Sequence, residues 1–186
     1  KFMQLIVIMA FFWFGLALPV QAGEVSRGAV QQGENGRYTL SVSVRITAPL
    51  QRVRAMLIDF EHLNRLDSSI QSSRVLRTEA DGAVVVEVVS EDCVLLYCQR
   101  VTNTQRVVIL AEGRHIHGET LPSESNLRYG HTDWRLTALS ERETAVDFQA
   151  VIEPDFWMPP MVDTWVMERT LRAHWQQSIA AMEGSN

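Results

Sequence analysis

Residues 38–60 read YTLSVSVRITAPLQRVRAMLIDF, and the change of rhythm inside this stretch decides the fold. Tyr38, Leu40, Val42, Val44 and Ile46 alternate with Thr39, Ser41, Ser43 and Arg45. Successive side chains of a strand point to opposite faces, so a period of two predicts a strand with one buried and one wet face. Pro49 ends it. Proline has no N–H to donate, which costs little in the first turn of a helix, where that N–H has no partner anyway. From Pro49 the rhythm turns helical: Leu50, Val53, Met56 and Leu57 fall on one stripe. EHLNRLDSS, residues 61–69, reads as a second short helix or turn.

Strand signals follow, separated by turn residues. IQSSRVLRTE (70–79) leads to Asp81-Gly82, a hairpin dipeptide, and then to AVVVEVVSE (83–91). QRVTNTQRVVILAE (99–112) stops at Gly113, and RHIHGETL (114–121) stops at Pro122. LRYGHTDWRLTALS (127–140) and TAVDFQAVIEPD (144–155) turn at SERE. A long helix is predicted from about Met158 to Glu183. Thr164, Met167, Leu171, Trp175, Ser178 and Met182 form its stripe, Val162, Trp165 and Ile179 widen it, and Pro159 and Pro160 stand at its beginning. The expected order is strand, two short helices, about six more strands and one long helix. Hairpin-linked strands form an antiparallel sheet, and the apolar face of a curved sheet needs cover that only the terminal helix is long enough to give. Where the facing side chains do not fill the space between them, a cavity remains.

This pattern resembles the helix-grip, START-like (SRPBCC) superfamily. YTLSVSVRITAPLQRVRAMLIDFEHLNRL is similar to its opening, with Asp59-Phe60 before the second helix; WRLTALSERETAVDFQAVIEPDFWMPP followed by LRAHWQQSIAAME is similar to its closing hairpin and lid helix. The branch it most resembles is that of the bacterial coenzyme Q-binding or polyketide-cyclase-like START proteins. The resemblance covers residues 37–183 and implies an α+β, helix-grip fold: a curved antiparallel sheet of about seven strands, two short helices after the first strand, and a long C-terminal helix over the concave face. It also implies a cavity for a hydrophobic ligand of lipid, isoprenoid or quinone type. Fold alone does not give function.

The first 22 residues have a lysine, an apolar run from Leu5 to Leu18 and the small-residue end Val20-Gln21-Ala22. This predicts a secretory signal peptide over 1–22, cleaved before Gly23; the rival reading is an uncleaved membrane anchor. Residues 23–36 are expected to be a short N-terminal lead to the domain at 37–183. The signal implies export, with a bacterial periplasm as the expected compartment. It is a departure from the mitochondrial and cytosolic members of the branch. The chain has 17 Lys+Arg against 22 Asp+Glu; without Lys1 the balance is 16 against 22, a net charge of −6. So acidic a domain lacks the basic footprint that nucleic acid requires. It also argues against broad docking on anionic lipid. A monomer without cofactor is expected.

Trp134, Phe148, Phe156, Trp157, Trp165 and Trp175, joined by Leu171 of the helix stripe, are the candidate ligand-binding residues. PDFWMPP, with Phe156, Trp157 and Met158 crowded between prolines, is the candidate pocket mouth. His115, His117 and Glu119 alternate on one strand face, and with His131 they form a conceivable metal set; the plainer reading is a solvated strand face, and no metal is expected. No G-x-S-x-G nucleophile elbow is present. An acid–base pair drawn from His131, Asp133 or Glu87 would support a second function, a cyclase, dehydratase or hydrolase working on an apolar substrate. It requires those side chains to point into the cavity. The leading expectation is a binding or carrier protein with no catalytic residues. A third reading, an interaction module without ligand, would show a large exposed apolar patch instead.

Cys93 and Cys98 are the only cysteines. In an oxidising compartment two nearby cysteines usually pair, and their spacing is wrong for a C-x-x-C redox motif. A Cys93–Cys98 disulfide is therefore expected, pinching the connection between two neighbouring strands; its short loop gives it about 2 kcal/mol. The apolar tip Val94, Leu95, Leu96 and Tyr97 either tucks under the sheet edge or makes transient contact with a membrane.

Overall fold

The computed structural model describes residues 23–94, 97–159, 162 and 164–184. The expected signal segment, 1–22, and the tip residues Leu95 and Leu96 lie outside the described residues. Among the described residues no helix is long and apolar enough to cross a membrane.

The period-two stretch forms a strand, β2 (Tyr38–Ile46), that buries Val42, Val44 and Ile46. It is not the first strand. Residues 23–36, expected to be a lead, contain β1 (Glu24–Gln32), which pairs antiparallel with β2. Among the described residues the sheet therefore has eight strands, not about seven. β1 escaped notice because a register shift between Val25 and Arg27 breaks its alternation.

After β2, helix α1 (Leu50–Leu57) buries Val53 and Leu57, with Leu50 and Met56 packed beside them. Pro49 caps it, its carbonyl accepting from the Val53 N–H at 3.2 Å. The second helix is a single tight turn, Leu63–Arg65. Six strands follow: β3 (Ile70–Thr78), β4 (Val84–Val94), β5 (Tyr97–Leu110), β6 (His115–Thr120), β7 (Leu127–Ala138) and β8 (Thr144–Pro154). At the first hairpin Gly82 has φ +84°, a conformation that favours glycine, while the Asp81 carboxylate accepts from the Ala83 N–H. All pairings are antiparallel, in the order β1-β2-β8-β7-β6-β5-β4-β3.

The terminal helix α2 runs Thr164–Glu183, six residues shorter at its start than expected. Pro159 precedes it, and Pro160 lies outside the described residues. α2 is anchored at both ends by its own carboxylates. Glu168 accepts from the Val30 N–H of β1 at 2.9 Å, and Glu183 accepts from the N–H groups of Gly23 and Thr47 at 2.8 and 2.6 Å. The strand missed in the sequence is thus the ledge on which the helix lies. At the C-terminal end of α2 the layers close into a solid core: Ile46, Val53, Val146, Ile179 and Met182 are at most 2% exposed. Each such burial is worth about 1.5–3 kcal/mol.

Candidate functional site

Towards the other end of α2 the layers part. A cavity of about 560 Å³ lies between the concave face of the sheet and the helix. Its origin is in the register. Ala150, Thr132 and Gly118 are direct neighbours across β8, β7 and β6, and by alternation Gly130 and Thr120 share their face one step along. Small side chains on adjacent strands leave the middle of the floor unfilled. The two glycines matter because a Cβ on Gly118 would meet Thr132 Oγ1 at 2.7 Å and Gln105 Oε1 at 2.8 Å, and one on Gly130 would strike Thr120. Glycine inside a strand marks such close approaches, a signal present in HIHGE and RYGHT.

Large side chains frame this floor. Trp134, Phe148 and Trp175 meet with ring centroids 4.4–5.6 Å apart and form an aromatic wall of the cavity. Met167, Leu171 and Val166 of α2 form the roof, and Leu57, Phe60 and Leu63 of the α1 segment form one side. Of the candidate ligand-binding residues, Trp134, Phe148, Phe156, Leu171 and Trp175 line the cavity. Trp157 and Trp165 depart from expectation: they are 70% and 63% exposed and do not line it. Trp165 turns outward because it lies on the flank of the stripe, where Arg169 stacks over its ring. Trp157 offers its carbonyl to the Tyr97 hydroxyl at 2.9 Å and keeps its ring on the surface.

The polar lining was not foreseen. His174 of α2 stands at the cavity edge between two carboxylates, with Nδ1 at 2.9 Å from Asp67 and Nε2 at 2.8 Å from Asp92. The hydrogen bond to Asp67 raises the imidazole pKa to about 9; burial opposes the shift and the Asp92 bond reinforces it. Burial pushes the Asp67 carboxyl up, but bonds from His174 and from the Ser69 N–H outweigh it and hold the pKa below the ordinary value. This latch joins α2 to the loop before β3 and to the end of β4. The disulfide is its neighbour: Cys93 and Cys98 are direct cross-strand partners and are bonded to each other. The bond ties the end of the β4–β5 hairpin, where Asp92 reaches the helix and Tyr97 reaches Trp157. Nothing in single-sequence periodicity could have found a contact between residues 82 and 107 positions apart.

His131, Asp133 and Glu87 all lie on the outer face of the sheet. Their strand neighbours Thr132, Trp134, Val86 and Val88 line the cavity, and alternation turns the three away from it. Glu87 pairs with Arg74 at 2.8 Å. Asp133 accepts from His115 at 2.7 Å and from His117 at 3.3 Å, and His131 contacts the Tyr129 hydroxyl at 3.0 Å. The acid–base arrangement drawn from these three residues is therefore overturned. HIHGE is the partly wet strand face of the plainer reading, and no group able to hold a metal ion occurs among the described residues.

Comparison with known proteins agrees with this architecture. A START superfamily protein from Mycobacterium smegmatis superposes with a TM-score of 0.61 at 17% identity, covering 79% of this chain and 95% of that one. The Zhui aromatase/cyclase from Streptomyces sp. R1128 superposes with a TM-score of 0.59 at 16% identity, covering 80% and 93%. A protein from Thermus thermophilus gives 0.58 at 14% identity, covering 78% and 94%. At these identities the likeness is one of fold. No curated protein matches the chain. The family model described as "Polyketide cyclase / dehydrase and lipid transport" matches residues 37–183, and the chain belongs to that family.

Proposed function

We propose that this protein binds and carries a hydrophobic small molecule, of lipid, isoprenoid or quinone type, in the cell envelope. The observation that carries the reading is the cavity of about 560 Å³ walled mainly by apolar side chains of the sheet and α2. Concave, largely apolar cavities with few polar groups are the usual form of small-molecule sites. Export to a periplasm is part of the proposal and is supported by the N-terminal signal pattern and by the Cys93–Cys98 bond. So is action as a monomer that touches a membrane transiently through Val94, Leu95, Leu96 and Tyr97. The test is to purify the folded protein from its native compartment, extract it with organic solvent and identify released lipid by mass spectrometry. Failure to recover or to bind any apolar molecule would overturn the reading. For the tip, Leu95→Ser with Leu96→Ser should slow transfer of a loaded ligand from vesicles; unchanged transfer would remove that element.

The second reading is a cyclase, dehydratase or hydrolase in the same cavity. The one observation that favours it is His174, the imidazole that lines the cavity. Both of its nitrogens are committed to Asp67 and Asp92, which leaves no free lone pair for a general base. The binding reading is therefore preferred.

A further inference from the structure

The inward row of β5 is unlike the rest of the cavity wall. Tyr97, Gln99, Val101, Asn103, Gln105 and Val107 all line it, so three carboxamides face a space bounded mainly by aliphatic and aromatic groups. Among the described residues only Arg54 Nε is buried without a hydrogen-bond partner, so a carboxamide atom of this row left open by the protein faces accessible space in the cavity. Gln99 is satisfied: its Oε1 shares the Tyr97 hydroxyl proton, at 2.8 Å, with the Trp157 carbonyl, and its Nε2 donates to the Arg100 carbonyl at 2.8 Å. Asn103 is half satisfied: its Oδ1 accepts from Thr120 at 2.9 Å, and its Nδ2 has no hydrogen-bond acceptor among the described residues. The Gln105 carboxamide has no hydrogen-bond partner among the described residues, and neither has the Thr132 hydroxyl. Gln105 Oε1 and Thr132 Oγ1 both flank the place where Gly118 lacks a Cβ. The missing Cβ lets both side chains close in over Gly118, so with Asn103 they form a polar cluster on the cavity floor.

We propose that this polar cluster of Asn103, Gln105 and Thr132 is a subsite for an uncharged oxygen function, a carbonyl or a hydroxyl, on an otherwise apolar ligand. The inference rests on the binding reading above and adds the ligand's chemistry. The three side chains offer donors and acceptors but no charge. The charged groups of the cavity, Asp67, Asp92 and His174, are bonded to one another. They also lie elsewhere: Asp92 pairs with Gln99, six residues from Gln105, or about 20 Å along the strand. A carboxylate or an ammonium on the ligand would find no counter-charge at this cluster and would lose its hydration. A carbonyl or hydroxyl would satisfy the open Gln105 and Asn103 donors, and the aromatic frame of Trp134, Phe148 and Trp175 would take a flat apolar body beside it.

Fluorene, 9-fluorenone and fluorene-9-carboxylate share one rigid skeleton and differ at this function alone. Their binding to the full folded protein can be followed by quenching of the cavity tryptophans. In the wild type 9-fluorenone should bind about three- to tenfold tighter than fluorene, the range of one or two net hydrogen bonds, and the carboxylate should bind weakest. The ratio of fluorenone to fluorene affinity should fall to near one in Gln105→Leu and shrink in Thr132→Val. Neither variant leaves a charge buried or a chain bond broken. Equal wild-type binding of fluorene and fluorenone, a ratio unchanged in both variants, or a preference for the carboxylate would overturn the subsite while leaving the apolar cavity standing. If none of the three binds, this inference fails, while the solvent extraction above decides the binding reading separately.

Discussion

Replacing His174 by alanine removes the one side chain that ties α2 to both Asp67 and Asp92. The imidazole pKa rises from 6.5 to about 9 on folding, which sets a ceiling of about 3 kcal/mol on what the charged form adds to stability. The Asp92 end of the latch is 46% exposed, so solvent screens its share, and about 2 kcal/mol is the expected contribution. Its pH dependence follows from the direction of the shift. A histidine with a raised folded value contributes in full below pH 6.5 and loses that contribution as the pH climbs towards 9. Asp67, with its folded value depressed, contributes above 3.8 and loses its share only as the pH falls through that lower folded value. Urea unfolding of the wild type and His174→Ala at pH 5.5, 7.5 and 9.5 should therefore show a gap of about 2 kcal/mol at the lowest pH that shrinks below about 1 kcal/mol at the highest. A gap that is the same at all three values, or that grows with pH, would refute the reasoning. So would an NMR titration in which the His174 ring loses its proton at or below 6.5.

Further outcomes follow from the same geometry. Trp175→Ala should cost about 3–5 kcal/mol in urea unfolding because the ring is buried between Trp134 and Phe148, whereas Trp165→Ala should stay within about 0.5 kcal/mol. Gly118→Val should lower the affinity for 9-fluorenone at least about tenfold by forcing Thr132 and Gln105 off their positions, with the far-UV spectrum retained; undiminished binding would place the ligand elsewhere. Reduction of Cys93–Cys98 should cost no more than about 2 kcal/mol, read from unfolding with and without reductant. Glu87→Gln, His131→Asn and Asp133→Asn should leave probe affinity within about twofold, because all three side chains face away from the cavity; a larger loss in any of them would contradict that orientation.

The elements were legible where their patterns are local. Period two in YTLSVSVRI, the stop at Pro49, the Asp81-Gly82 hairpin and the apolar stripe of the last helix each express the geometry of a few consecutive residues, so they could be read without partners. β1 was not legible, because a bulge and the polar run Ser26-Arg27 break the alternation that would announce it. The aromatic wall was half legible. The stripe places Trp165 and Trp175 on or near one face of α2, but whether a flanking tryptophan turns in or out depends on how wide the groove beneath it is.

The sequence by itself determined the order of elements from β2 onward, their antiparallel pairing, the cover of one sheet face by one helix, and a cysteine pair suited to a bond across neighbouring strands. Those properties come from backbone geometry and side-chain alternation within short windows. Only the tertiary structure decided where the layers close and where they part. That depends on cross-strand register, which sets Ala150, Thr132 and Gly118 side by side although they are up to 32 positions apart. It decided that His131, Asp133 and Glu87 face outward, and that His174 meets two carboxylates drawn from elements far from it in the chain. A cavity is a sum of small side chains brought together by register, and a latch is a meeting of distant charges. Neither leaves a period in the sequence, because the interactions that make them act across the fold and not along the chain.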